Sequence, residues 1–172
     1  MRLFEAPENV KSKTKKDIMD NFVKWIDKNQ FTPGCRAYDI GETTVNTIFR
    51  YMNGKPIFKC GGRNFDENGN GALMRILPAA FYVYKIYGKD ALNSDNPKYI
   101  EAFDELHKMT ALTHGHEVSL IACDIYCATL IQMISGKDKA NGSEKGRFAE
   151  IMNYMLEKNQ KLEQEIISWN EM

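Results

Sequence analysis

The sequence predicts an all-α protein, a compact multi-helix bundle. Apolar residues recur at helical spacing along most of the chain, and no stretch alternates apolar and polar residues as a half-buried strand does. Hydrophobic residues make up 43% and charged residues 27% of the 172 residues, which is ordinary for a soluble globular domain. We therefore expect one helical domain over residues 1–172.

Two helices are predicted before residue 54. The stretch TKKDIMDNFVKWIDKN carries one apolar stripe, formed by Ile18, Phe22, Trp25 and Ile26. Thr14 and Asp17 resemble a capping box, which would begin this helix at Thr14. After a loop to Gly41, a second, short helix should end at Gly54-Lys55-Pro56.

A long polar loop follows and runs into an apolar helix at ENGNGALMRILP, residues 67–78. Loops of this length inside a compact domain are often functional. Gly69 and Gly71 stand where glycine weakens a helix start by about 0.5–1 kcal/mol relative to alanine. They form either an ordinary Asn-Gly turn or a place where a ligand approaches the backbone, and a helix N-terminus suits phosphate. In the predicted helix Ala72–Tyr87, Pro78 either kinks the helix or begins a new one.

Three further helices are predicted in the second half. Asn96 as N-cap and Pro97 as first helical residue should begin a helix that ends near Leu112. THGHEVSLIACDIYCATLIQMISG is the most apolar segment and the expected core. The last helix is predicted in RFAEIMNYMLEKNQKLEQEIISWNEM, with helically spaced Phe148, Ile151, Met155 and Leu162.

Charge and cysteine content narrow the functional classes. With 23 acidic and 23 basic residues, the chain does not suit nucleic-acid binding through bulk positive charge. We expect no membrane-spanning run, no signal core and therefore a cytoplasmic location. Without an export signal, reduced thiols are expected at Cys35, Cys60, Cys123 and Cys127. A zinc site built by His114, His116, Cys123 and Cys127 fits no common zinc spacing, so core packing is preferred for both cysteines of that stretch.

Four stretches resemble the ADP-ribosylglycohydrolase family, the all-α enzymes that remove ADP-ribose from modified proteins. They are DIMDNFVKW, DIGETT, CGGRNFDENGNGALMRILPAAF and THGHEVSLIACDIY, which span residues 17 to about 135 in this order. The resemblance implies a loop that lies against the diphosphate and ribose of the ligand, formed by Asn68, Gly69, Asn70, Gly71 and Ala72. It also implies that Thr113 and one of the histidines, His114 or His116, line the same cleft. His114 is favoured over His116 for that role. Either histidine could instead be a helix N-terminal residue bonded to neighbouring backbone.

The resemblance also implies chemistry that this chain does not carry in full. The family uses two metal ions, usually magnesium, held by Thr-Asp-Asp-Thr-type and Asp-x-Asp-Thr-type motifs. This chain contains no Asp-Asp and no Asp-x-Asp, and GETT at 41–44 belongs to a different family position. We therefore expect the middle of the family fold, truncated, with no metal ligands, no catalytic residue and no cofactor of its own. Arg75 is expected to pair with a ligand phosphate or with a carboxylate inside the fold.

Three functional hypotheses follow. The favoured one is a truncated domain that binds an ADP-ribose-like ligand or a protein partner without hydrolysis. The second is an active ADP-ribosyl-protein hydrolase whose metal motifs come from another chain. The third is a protein-interaction or inhibitor module with no nucleotide role. A Met-rich face formed by Phe148, Met152 and Met155 either packs on the Leu120–Ile134 helix or mediates self-association or partner docking.

Overall fold

The computed structural model of the chain describes residues 10–135 apart from 33, 35 and 94, with side chains from residue 14 onward. It contains six α-helices: α1 Val10–Lys28, α2 Glu42–Met52, α3 Gly71–Arg75, α4 Leu77–Tyr87, α5 Tyr99–Thr110 and α6 Glu117–Ile134. Two short 3-10 turns, Ile57–Lys59 and Phe65–Glu67, interrupt the loop between α2 and α3. Over these residues the only β-type pairing is an isolated bridge between Gly62 and His114. The prediction of an all-α fold is confirmed.

The main core lies between α4, α5 and α6, which all pack against one another. Ala80, Val83 and Leu106 are completely buried there. Cys123 and Cys127 of α6 lie in the same cluster, so the prediction that these two cysteines serve core packing is confirmed. Burying each aliphatic side chain of this kind stabilises the fold by about 1.5–3 kcal/mol.

Helix α6 is long and apolar. Its mean hydropathy is 1.5 over Glu117–Ile134, so by length and composition it meets the criterion for a membrane-crossing helix. The expectation that the chain has no such run is therefore wrong. In the fold α6 packs against α3, α4 and α5 and buries two polar side chains, Ser119 and Asp124. Packing of this kind is what the core helix of a bundle requires.

A smaller cluster joins α1 to the loops that carry the candidate site. Met19, Cys60 and Leu112 are completely buried in it. The predicted α1 is present, but it begins at Val10, so Thr14 lies inside the helix and the predicted cap there is wrong. Because lysine is a good helix former, the preceding Lys-rich residues extend the helix instead of ending it.

The structure decides how two predicted helices begin. Of the two alternatives for Pro78, the new start is confirmed: the helix predicted over Ala72–Tyr87 is divided at Ile76, because Pro78 has no N–H to continue the first helix and takes the second position of α4. Helix α5 begins at Tyr99 and not at Pro97. Oδ1 of Asn96 accepts from the Lys98 N–H at 2.9 Å, which makes a turn before the helix.

The remaining predictions concern the end of α2, the last predicted helix and Cys35. Helix α2 ends as predicted, with Gly54 in the left-handed region at φ +82°. The segment for which a last helix is predicted, with Phe148, Ile151, Met152, Met155 and Leu162, lies outside the described residues, as does Cys35.

Candidate functional site

Two backbone segments that are far apart in sequence meet at the candidate site. The Gly62 N–H donates to the Thr113 carbonyl at 2.9 Å, and the Gly115 N–H donates to the Gly62 carbonyl at 2.6 Å. A Cβ atom on Gly61 would lie 2.1 Å from the carbonyl oxygen of Ala111. The Gly61-Gly62 pair is thus required for close approach of the two backbones.

The side chain of Arg75 forms hydrogen bonds with the second of these segments, the one that contains Thr113. Its Nε and Nη2 donate to Oγ1 of Thr113 at 2.9 and 2.6 Å, and Nη2 also donates to the carbonyls of Met109 and Thr110 at 3.0 and 2.7 Å. The guanidinium carbon lies 5.6 Å from the ring centre of Phe22. Burial lowers the pKa of Arg75 to about 10, so the side chain stays charged at neutral pH.

His114 lies directly after the threonine that Arg75 holds. It is 1% exposed, and its Nδ1 is 2.9 Å from Oγ1 of Thr113. Its Nε2 faces the glycine loop, because a Cβ atom on Gly69 would lie 3.8 Å from it and one on Gly71 would lie 3.3 Å from it. Among the described residues Nε2 has no hydrogen-bond partner. Burial, and secondly the positive charge of Arg75, lower the pKa of His114 to about 4, so the imidazole is neutral near pH 7.

Gly71 is the first residue of α3 and lies next to His114 and Thr44. A Cβ atom there would lie 2.9 Å from Cε1 of His114 and 3.0 Å from Oγ1 of Thr44. The backbone at Gly71 is outside the left-handed region. Glycine is needed at this position for clearance over His114 and Thr44, and not for a positive φ.

Glu67 fixes the loop that leads to these glycines. Its Oε1 accepts from Nη2 of Arg50 at 2.7 Å, and its Oε2 accepts from the N–H groups of Arg63 and Asn64 at 3.0 and 3.1 Å. Burial alone would raise the pKa of Glu67, but the hydrogen bonds from Arg50 and the two backbone N–H groups outweigh it and lower the pKa. Both oxygens of the carboxylate therefore accept hydrogen bonds that hold the loop in place.

Nearly the whole chain matches one protein family. The family model for ADP-ribosylglycohydrolase matches residues 3–171. The chain belongs to the ADP-ribosylglycohydrolase family. No curated protein and no solved structure matches it. The resemblance seen over residues 17 to about 135 is confirmed, and the match extends over nearly the whole chain.

Four of the residues predicted for the ligand site of this family member lie together. Gly69, Gly71 and His114 face one another, and Thr113 contacts His114 from the opposite side. The other histidine, His116, is the N-cap of α6, where its Nδ1 accepts from the Val118 N–H at 3.2 Å.

The remaining predicted site residues have structural contacts of their own. Oδ1 of Asn68 accepts from Oγ of Ser119 at 3.1 Å, which ties the loop to α6. Asn70 is exposed at the N-cap position of α3, and Ala72 is buried in the main core. Arg75 was expected to pair with a phosphate or with a carboxylate, but its acceptors among the described residues are two carbonyls and a hydroxyl.

The sequence interpretation missed several residues that shape the site. Glu67 was detectable, because Asn64 and Glu67 have the spacing of a capping box and form one. Thr44 lay in the family stretch DIGETT, but no local pattern indicated that it meets Gly71. Ser119 gave no local signal, since its contact with Asn68 joins residues 51 positions apart.

The donor set of the described residues does not fit the dinuclear magnesium centre of the family. Between residues 14 and 135, leaving out 33, 35 and 94, no group of three or more His, Cys, Asp or Glu side chains is placed to hold a metal ion. Glu67 is committed to Arg50 and to backbone N–H groups. The imagined zinc set is not assembled either. Burial raises the pKa of Cys123 to about 11 and raises that of Cys127 further, as expected for core thiols.

A separate open groove of about 920 Å³ lies between α1 and the segment that follows α2. Lys16, Lys24, Lys28 and Lys55 line it together with apolar side chains such as Met52. None of the predicted ligand residues contributes to this groove. It is therefore distinct from the site around His114.

Proposed function

We propose that this member of the ADP-ribosylglycohydrolase family binds an ADP-ribose-like ligand at Gly69, Gly71 and His114, and that it does not hydrolyse the ligand on its own. One observation carries the proposal. A buried imidazole places Nε2, which has no partner among the described residues, against two glycines that leave the loop backbone open. Among the described residues the fully buried side-chain polar atom without a partner is Oδ1 of Asp124, so the Nε2 edge of the His114 ring is not sealed off and a ligand oxygen can reach it.

The chemistry of the loop supports a phosphate-bearing nucleotide. The backbone N–H groups of a glycine loop and a neutral imidazole each bind an oxygen of a diphosphate or a ribose. Helix α3 has only five residues, so its dipole adds little, and individual N–H groups have to provide the binding. The ring of Phe65, 55% exposed beside this loop, offers an aromatic face for a nucleobase.

Two observations support binding without hydrolysis. With a pKa of about 4, His114 is not protonated at neutral pH and is a poor general acid there. The sequence has neither the Asp-Asp nor the Asp-x-Asp pattern of the family's metal motifs. The chain therefore needs metal ligands from another source to follow the family's reaction.

Calorimetric titration of the chain with ADP-ribose, with and without magnesium, tests the proposal. Micromolar binding that does not depend on magnesium, together with no release of ADP-ribose from a modified protein, is the expected result. Binding only with magnesium, or release of ADP-ribose, would favour the active-hydrolase hypothesis. No heat in either buffer would overturn nucleotide binding at this site.

A second candidate function is protein interaction, including self-association. Met74, Leu77 and Phe81 lie on α3 and α4 with exposed fractions of 73%, 39% and 42%. Grouped apolar residues on a surface usually mark an interface. Light scattering on the wild-type chain and on a Met74→Lys variant tests this candidate: an oligomer that the substitution dissociates supports it, and a monomer in both cases removes self-association.

A further inference from the structure

We propose that Arg75 and Thr113 fix the tautomer of His114, so that Nε2 carries the proton and acts as a hydrogen-bond donor toward Gly69 and Gly71. Arg75 and Thr113 are then positioning residues that act through the histidine. The part of the inference that concerns a ligand rests on the proposed function. The tautomer itself is a property of the free protein.

The hydroxyl group of Thr113 lies between Arg75 and His114. A threonine hydroxyl has one hydrogen to donate and two lone pairs that accept. Arg75 has only donors, and its Nε and Nη2 both lie within hydrogen-bond distance of Oγ1, at 2.9 and 2.6 Å. The guanidinium therefore approaches Oγ1 from one side as a donor and offers no acceptor for the hydroxyl hydrogen.

The hydroxyl hydrogen then has one acceptor available. Nδ1 of His114 lies 2.9 Å from Oγ1. If Nδ1 carried a proton, it would be a further donor to Oγ1, and the hydroxyl hydrogen would have no acceptor among the described residues. Nδ1 is therefore the acceptor. A neutral imidazole holds a single proton, which must then be on Nε2.

Hydrogen bonds of its own backbone hold Thr113 in this arrangement. Its carbonyl accepts from Oγ1 of Thr47 at 3.0 Å and from the Gly62 N–H at 2.9 Å, and its own N–H donates to the Thr110 carbonyl at 3.2 Å. Arg75 is fixed in turn by the carbonyls of Met109 and Thr110. Thr113 and Arg75 are thus both anchored to backbone groups.

The tautomer determines which ligand atom fits the site. A protonated Nε2 binds an oxygen with a lone pair, such as a phosphate or ribose oxygen. It has no free lone pair for a metal ion, and it does not accept a proton from a substrate at neutral pH. The arrangement therefore selects an oxygen-rich anionic ligand and makes His114 a binding group, neither a metal ligand nor a general base.

Nitrogen NMR of the histidine-labelled wild-type chain at pH 7, without ligand, tests the tautomer directly. The expected spectrum shows His114 with a protonated Nε2 and a bare Nδ1, assigned by its loss in a His114→Asn variant. Thr113→Ser, which keeps the hydroxyl, should retain this pattern, whereas Thr113→Val should give a mixture of tautomers. A protonated Nδ1 in the wild type, or an unchanged pattern in Thr113→Val, would overturn the inference.

Binding measurements separate this inference from the proposed function. Thr113→Val should weaken ADP-ribose binding about fivefold to tenfold, as expected for a misdirected hydrogen bond, while Thr113→Ser stays near wild type. The predicted tautomer with no ADP-ribose binding would overturn only the proposed function. Binding with a protonated Nδ1 would overturn only the tautomer. If Thr113→Val does not fold, the wild-type spectrum decides.

Discussion

A side chain on Gly71 would meet His114, because a Cβ atom there would lie 2.9 Å from Cε1 of the imidazole. His114 is buried and hydrogen-bonded to Thr113, so its ring cannot easily move away from an added side chain. The identity of residue 71 is therefore set by a histidine that lies 43 positions later in the chain.

The first prediction concerns Gly71→Ala. The added methyl group should displace the His114 ring, weaken ADP-ribose binding by about tenfold and lower the free energy of unfolding by about 1–2 kcal/mol. Calorimetry and urea unfolding measure the two effects. The control is Gly41→Ala, because Gly41 has nothing within 4 Å of its Cβ position and φ is −59°. Equal affinity for both variants would contradict the assigned site.

The second prediction concerns the approach of two backbones at Gly61. A Cβ atom there would lie 2.1 Å from the Ala111 carbonyl oxygen, and a backbone atom cannot move aside as a flexible side chain does. Gly61→Ala should lower the free energy of unfolding by about 3 kcal/mol, at the upper end for overpacking. Urea unfolding beside Gly41→Ala measures this, and a loss no larger than that of the control would refute it.

Much of the fold could be predicted from local sequence, because helix α2 and helix α6 are defined by apolar spacing and by residues near their ends. The start of α1 could not be predicted in the same way, since Thr14 suits a cap and also tolerates a helix interior. For Pro78 the sequence allowed either a kinked helix or the start of a new one, and in the structure a new helix, α4, begins at Leu77.

The site depends on contacts that local patterns do not contain. The family resemblance indicated Gly69, Gly71 and His114, but Arg75 and Thr113 are 38 positions apart and no pattern links them. Of the two candidate histidines, His116 is the N-cap of α6 and His114 lies against the glycine loop, and neither position follows from a local pattern. Tertiary packing therefore supplied what the sequence left open.

The third prediction concerns Glu67→Gln. Removing the charge leaves Arg50 without its carboxylate and weakens two backbone hydrogen bonds, so the free energy of unfolding should fall by about 1–2 kcal/mol at pH 7. Because the folded state lowers the pKa of Glu67, this stabilisation is present above the unfolded pKa and is lost as pH falls through the folded one.

Urea unfolding of the wild type and Glu67→Gln between pH 7 and pH 3 measures this difference. The control is Asp104→Asn, which removes a charge from an exposed pair with Lys108 and should change stability by about 0.5 kcal/mol or less. A gap between wild type and Glu67→Gln that stays constant down to pH 3 would contradict the prediction.

The fourth prediction concerns the pair formed by His107 and Asp124, whose Nε2 and Oδ2 atoms are 2.6 Å apart. Burial alone would lower the pKa of His107, but the hydrogen bond and charge of Asp124 outweigh it, with a smaller contribution from Asp104, and the pKa is raised. Asp124→Asn should therefore move the His107 titration to lower pH. Proton NMR of His107 across pH 5–8 measures the shift, and an unchanged midpoint would show that Asp124 does not set it.

The last prediction follows from the low pKa of His114. Its folded pKa is about 4, against 6.5 for the ordinary value, so between these pH values the unfolded chain binds a proton that the folded chain does not. The stability contributed by keeping His114 neutral is present above pH 6.5 and is lost as pH falls toward 4. Relative to His114→Asn, the wild type should lose about 3 kcal/mol between pH 7 and pH 4.

Urea unfolding of both chains at half-unit pH steps measures this loss, and it separates His114 from the carboxylates because those are common to the two chains. Wild-type and His114→Asn stability curves that run parallel from pH 7 to pH 4 would show that the imidazole titrates normally. ADP-ribose affinity provides an independent check. Since His114 stays neutral above about pH 6, its hydrogen-bond donor is unchanged there, and the affinity should be the same at pH 6 and pH 8.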